Sequence, residues 1–193
     1  MPTPQQRTEA QQLVDFIAAS PSPWHAVSRA SAELDAAGFT ALDESQRWTL
    51  TDGGSYYVSR GGSALIAFRL GHDPAAGLTL IGAHTDSPGL RVKPQPADSL
   101  HGVDRLAVEV YGGPILATFA DRDLSLAGRV VVDTPTGPQT RLLHIDRPLL
   151  RLPNLAIHMN RDVNEAGLKF NKQTELPPIF ALSTALPASE RFR

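Results

Sequence analysis

No cysteine occurs among the 193 residues. Disulfides and thiolate metal sites are therefore excluded, and any bound metal must be held by histidine and carboxylates. No window approaches 18 consecutive apolar residues, and the opening MPTPQQRTEAQQ is polar. Neither a membrane span nor a signal peptide is expected, and the chain reads as cytoplasmic. Charge of one sign is missing too: Lys and Arg number 18 against 20 Asp and Glu, a formal charge of -2. That balance offers no general attraction to nucleic acid or to an anionic membrane, so the partner must be sought in a site. A phosphate-cradling loop is not expected either, because Gly112-Gly113 has no helix signal behind it. Internal repeats and low-complexity tracts are absent.

What is present is a globular composition, 41% hydrophobic and 20% charged, with room for one large domain or two small ones. Leu13, Val14, Phe16 and Ile17 give one apolar face to EAQQLVDFIAAS, and Ser20-Pro21 ends that helix. Ser22 is placed to cap a second helix with Pro23 in its first turn. Trp24, Val27, Ala30 and Leu34 recur at helical spacing, and Gly38 supplies a left-handed stop. From residue 55 the period changes: SYYVSR and SALIAFRL, separated by Gly61-Gly62, read as paired strands around a tight turn. LTLIGAH has the continuous apolar character of a central strand buried on both faces. Beyond residue 93, LAVEVYGG, SLAGRVVVD and TRLLHID are short β-like runs, with QPADSLHGVD as the expected passage into them. Helices first and strands after indicate an α/β protein with a β-rich second part, divided at 1–92 and 93–193.

His84 stands at the carboxyl end of the expected central strand, where ligands collect in open α/β sheets. One ring nitrogen of such a histidine can meet a metal while Asp86, two residues on, accepts a hydrogen bond from the other and fixes the tautomer. Most H-x-D triplets are turns in which the Asp bonds local amides. His144-Ile145-Asp146, followed by Arg147-Pro148, is a second example for which the turn reading is preferred. His25 lies inside the second helix, His72 beside an Asp-Pro turn and His101 in a loop. His158, in NLAIHMNRDVNE, follows an apolar run and precedes Asn160, Arg161 and Asn164, as a functional edge or a capped helix start would. Asp121-Arg122-Asp123 is read as a surface ion-pair cluster and Lys169 and Lys172 as a solvated face.

IGAHTDSPGLRVKP, VEVYGG, DRDLSLAGRV, RPLLRLPNLAIHMNR and VNEAGLKFNKQ, in this order, resemble the aspartyl aminopeptidase family of zinc metallopeptidases as far as about residue 181. The resemblance implies an α/β catalytic domain interrupted by an inserted β-rich oligomerisation domain, and assembly into a homo-oligomer, a dodecamer in the family. It implies two zinc ions per complete active site and a peptide substrate with an acidic N-terminal residue, Asp or Glu. It further implies that His84 is a zinc ligand and Asp86 its catalytic supporting partner. His158 is implied to reach the substrate of a neighbouring subunit, helping to hold the scissile carbonyl.

Two departures stand beside these implications. Where the family has a third glycine and aromatic residues after YGG, this chain has Pro114 and no Trp in GGPILATFADRDL. The family also draws its bridging Asp, its Glu pair and its remaining ligands from a segment after the inserted domain. The chain ends at Arg193, and TALPASERFR matches no recognised block. The expectation is thus a truncated, inactive portion of an aminopeptidase; the alternative is a non-catalytic self-association module of the same origin.

Overall fold

A computed structural model describes residues 1–73 and 77–192. Pro74, half of the turn expected beside His72, lies outside the described residues. The helices are α1 (Pro4–Ala18), α2 (Pro23–Ala36), α3 (Val163–Ala166) and α4 (Ala188–Arg191). The strands are β1 (Thr40–Leu42), β2 (Ser55–Arg60), β3 (Ala64–Arg69), β4 (Gly89–Leu100), β5 (Val103–Tyr111), β6 (Asp123–Leu124), β7 (Ala127–Val132), β8 (Gln139–His144), β9 (Leu150–Arg151) and β10 (Ile179–Leu182). The chain forms two compact units. One comprises Met1–Ser87 with Ala127–His144, the other Pro88–Leu126 with Ile145–Arg193.

In the first unit the helix signals act as read. Thr3 accepts from the Gln6 amide while the Gln6 side chain accepts from the Thr3 amide, a reciprocal cap with Pro4 in the first turn. Ser22 caps α2, its hydroxyl 2.7 Å from His25 Nδ1, and Gly38 lies at φ 80°, a conformation that favours glycine. The three-stranded sheet runs β1-β2-β3, with β2 antiparallel to β3 in the register Ser55↔Arg69 to Arg60↔Ala64. Gly61 and Gly62, both at positive φ, form the turn. Three consecutive residues of the middle strand, Tyr56, Tyr57 and Val58, are buried. The Tyr57 hydroxyl donates to Asp35 at 2.8 Å, tying β2 to α2. The hairpin β7-β8 belongs to this unit, and Arg129 donates to the Gly61 carbonyl at 3.2 Å.

LTLIGAH departs from expectation. Residues 77–83 belong to no strand, and Leu78, Leu80 and Ile81 are 90%, 88% and 95% exposed. A strand buried on both faces needs neighbours on both edges and layers above and below. None of the described residues supplies them, so the run stays unpaired. The apolar face of α1 is likewise open, with Leu13, Val14 and Ile17 exposed.

The second unit is a five-stranded sheet in the order β4-β5-β10-β9-β6. Its core is Val108, Leu152 and Leu176, against which Leu90, Val110, Leu116, Phe119, Leu124 and Phe170 pack. The expected passage QPADSLHGVD is instead the end of one strand and the start of the next. His101 (φ 51°) and Gly102 (φ 81°) make a two-residue turn with both residues left-handed, the geometry that matches the twist of paired strands. Pro94 and Pro96 fall where the β4-β5 register shifts, between Val92 and Ala97, on an edge strand whose missing amides break no ladder.

Fully buried in this unit, Asp104 accepts from Ser99 at 2.8 Å and from Ser183 at 2.7 Å on one oxygen and pairs with Arg191 through the other. Arg191 also donates to the Leu182 carbonyl at 2.7 Å. The closing stretch ASER, unplaced from sequence, is thereby fixed to the sheet through α4.

Candidate functional site

The site is built on the unpaired segment. After the apolar run, Thr85 donates its hydroxyl to the Ser63 carbonyl at 2.7 Å, fastening residue 85 to the β2-β3 turn. On either side of that tether stand His84 and Asp86, with His84 Nδ1 3.2 Å from Asp86 Oδ1. The His84 side chain is 92% exposed and that of Asp86 31%. If Nδ1 carries the proton, it donates to the carboxylate and leaves the Nε2 lone pair for a metal, the arrangement in which an outer carboxylate orients a ligating imidazole.

The internal control behaves differently. His144 ends β8, where its ring meets that of His25 edge-on at 5.9 Å, and no hydrogen bond joins it to Asp146 among the described residues. His25 has its pKa lowered, first by partial burial and second by repulsion from His144. Two histidines read separately from sequence are therefore neighbours, a contact between a helix and a distant hairpin that no local pattern announces.

His158 lies in the second unit, in a single helical turn at Ile157–Met159, and is exposed. Beside it Leu155, Ile157 and Met159 are also exposed, so the turn is not part of a core. Thus His84 and Asp86 are brought together, while His158 stands on a separate unit.

In the second unit a glycine has a definite task. Gly112 has φ +67°, and a Cβ there would come within 3.3 Å of Pro88. The SPG and YGG blocks thus approach closely, which a side chain at 112 would oppose. Arg91 stacks over Tyr111 at 3.6 Å beside them.

Whether these donors suit a zinc ion is decided by their number. Zinc in a catalytic site takes three protein ligands, and with thiolates excluded these must be imidazoles and carboxylates. Among the described residues no group of three or more such side chains is gathered. His84 with Asp86 fits one ligand position and its support; the described residues do not complete a site. A groove of about 350 Å³ in the first unit, lined by Trp24, Ser28, Gly61, Gly62, Arg129, Thr140 and Leu142, contains no histidine or carboxylate. No helix is long and apolar enough to cross a membrane among the described residues.

Comparison with known proteins follows this geometry. A probable M18 family aminopeptidase 2 of Stutzerimonas stutzeri is 52% identical over 173 residues, covering 89% of this chain and 40% of the relative. A solved structure, the complex of Ape4 and Nbr1, matches with a TM-score of 0.86 and 43% identity, over 92% of this chain and 34% of that one. The S. cerevisiae mApe1 dodecamer matches with a TM-score of 0.69 and 27% identity, over 91% of this chain and 48% of that one. The mixed α/β architecture is that of M18 aminopeptidase structures. The chain spans about 40% of the length of the S. stutzeri relative. The model of the family described as aminopeptidase I zinc metalloprotease (M18) matches residues 16–191, beyond the point near residue 181 to which the resemblance extends. This chain belongs to the M18 family.

Proposed function

We propose that this chain carries one part of a zinc aminopeptidase that removes acidic residues, Asp or Glu, from the N-termini of peptides. The observation that supports it is the His84–Asp86 contact of 3.2 Å on an exposed ring, within a chain of this family. In this reading His84 is a zinc ligand, Asp86 orients it and His158 contacts the substrate. A complete site holds two zinc ions, which when bound supply an acidified water and polarise the scissile carbonyl. The inserted β-rich region, 93–193, serves assembly into a homo-oligomer, a reading supported by the relative named as a dodecamer. The protein acts in the cytoplasm, without nucleic acid or membrane as partner.

One imidazole does not make a catalytic zinc site, so the chain alone is inactive. Incubation with zinc and peptides beginning with Asp, Glu or Leu tests this: no turnover is expected. Turnover that vanishes in His84→Ala would instead mean that acids within the chain complete the site. The activity itself is tested in a single polypeptide joining this chain to the part of the S. stutzeri relative that it does not match. There His84→Ala abolishes cleavage of Asp- and Glu-peptides, while His158→Ala lowers kcat on the order of 100-fold, as loss of a donor to developing oxyanion charge does. The thermal midpoint in His158→Ala stays unchanged, because the side chain is exposed. A preference for Leu-peptides would overturn the acidic specificity.

A second reading is a non-catalytic self-association module. It is favoured by the exposed Val131, Leu142 and Leu143 of the β7-β8 hairpin, apolar surface of the kind that subunit contacts cover. Light scattering distinguishes the two: a defined oligomer of this chain alone that inhibits or joins a full-length relative without contributing activity supports the module.

A further inference from the structure

We propose that Asp121 is a positioning residue for His158: by accepting a hydrogen bond from the Asn154 amide it holds the loop that presents the His158 ring. The inference rests on the reading of His158 as a substrate contact and adds the group that keeps that ring in place.

Asp121 lies between the helical turn Leu116–Phe119 and β6. Its φ of 53° is in the left-handed region, where a side chain incurs a cost that glycine avoids. What the side chain does there shows in its contacts. The Asp121 amide donates to the Leu152 carbonyl at 2.9 Å, and the carboxylate accepts from the Asn154 amide at 3.3 Å. One residue thus grips the chain on both sides of Pro153, just past the buried Leu152.

Only three residues separate Asn154 from His158. Leu155, Ile157 and Met159 are exposed, so side-chain packing does not fix this stretch. The hydrogen bonds that follow are local. The Asn154 side chain accepts from the Leu155 amide at 2.8 Å, and the Met159 amide donates to the Ala156 carbonyl at 2.8 Å. Those bonds shape the turn, whereas the bond to Asp121 fastens it to the body of the unit.

The neighbouring charges do not perform this task. Arg151 lies 3.0 Å from Asp123 and 3.7 Å from Asp121, with half of its side chain in water. Ion pairs so exposed add little to stability. No hydrogen bond joins the Asp123 side chain to residues 154–159 among the described residues, which makes Asp123 a control.

The test compares Asp121→Gly, Asp121→Asn and Asp123→Ala, in the full 193-residue chain and in the single polypeptide that joins it to the unmatched part of the S. stutzeri relative. Glycine keeps the left-handed backbone and removes the acceptor, while asparagine tolerates that backbone and retains an acceptor oxygen. Asp121 is 58% exposed, so its loss opens no cavity. In the full chain, hydrogen exchange of the Asn154 amide should quicken about tenfold in Asp121→Gly, as loss of a bond to a charged acceptor does, and stay near wild type in the other two. In the joined polypeptide, Asp121→Gly lowers kcat on Asp-peptides about tenfold with KM little changed, the result of a misplaced contact. Asp121→Asn restores most of that rate and Asp123→Ala leaves it unaltered. The double variant Asp121→Gly, His158→Ala should be no slower than His158→Ala alone, because Asp121 acts through that ring. Losses that multiply would show another route and overturn the proposal. Unaltered Asn154 exchange in Asp121→Gly, or an equal loss of rate in Asp123→Ala, would overturn it too. With His158→Ala impaired, each of those results leaves the substrate reading of His158 standing. Full activity in His158→Ala sinks that reading, and the proposal with it.

Discussion

The two units differ in how far each completes itself. The second closes a core around Val108, Leu152 and Leu176, and even its buried charge is provided for: Asp104 has two hydroxyls and a guanidinium. The first buries three residues of β2 and part of α2, yet leaves a seven-residue apolar run and one face of α1 in water. The family's chemistry, as proposed, stands on the unit that is less complete. Among the described residues nothing covers Leu78, Leu80 and Ile81, and no group of three metal-ligating side chains gathers around His84. One deficiency of packing and one of coordination thus occur at the same point of the chain.

The contrast predicts where substitution is felt. The largest effect belongs to Arg191→Ala, which leaves the Asp104 carboxylate buried without its cation. Breaking a buried pair from one side costs about 3–5 kcal/mol, and chemical denaturation followed at the β5 amides should register it. Should the loss stay below about 1 kcal/mol, the second unit does not depend on its buried charge. Next is Leu152→Ala, where the side chain is 1% exposed. A cavity there costs about 2–5 kcal/mol, read as a lowered denaturation midpoint.

A smaller effect lies in the pH dependence of the first unit. The pKa of His25 is lowered in the folded state by burial and then by His144, so the unfolded chain binds the proton more readily. Stability attributable to this pair is therefore complete above the ordinary imidazole value of 6.5 and declines as pH falls below it. His144→Gln removes the smaller of the two causes and should partly flatten that decline; an unaltered profile would leave the burial of His25 to account for it. The smallest effect is Leu80→Ser in the isolated chain, within about 0.5 kcal/mol of wild type, because nothing is packed against it. A larger loss would mean that the run is buried in solution and that the two units differ less than described.

Local signals in the sequence gave good purchase on elements that local chemistry controls. Ser22-Pro23 and Gly38 bound α2, and Gly61-Gly62 turns β2 into β3, because caps and turns depend on the residues that form them. LTLIGAH was equally plain as a central strand, but strand formation depends on neighbours, and an apolar run does not carry its own partners. His101-Gly102 passed for loop since attention to composition favoured a linker, although both residues tolerate the left-handed region that a tight hairpin demands. Asp104 was overlooked for a different reason. A carboxylate at the start of a strand reads as solvated unless its cation is known, and Arg191 comes from the last helical turn. At the candidate site, the approach of Asp86 to His84 was legible because only one residue separates them. The meeting of His25 with His144 was not, for it joins a helix to a distant hairpin.

The assignment of Ala127–His144 to the first unit affects how the molecule can be taken apart. The backbone passes from one unit to the other after Ser87, back after Leu126 and over again after His144. Neither unit is thus a continuous stretch that a single scission releases. A protease nick or an engineered junction near residue 92 strips the first unit of its hairpin and leaves the second carrying a foreign one. Exchange of either unit with a relative requires simultaneous splices at Ser87, Leu126 and His144, so recombination between members of the family should preserve the β7-β8 hairpin with the N-terminal helices as a linked pair.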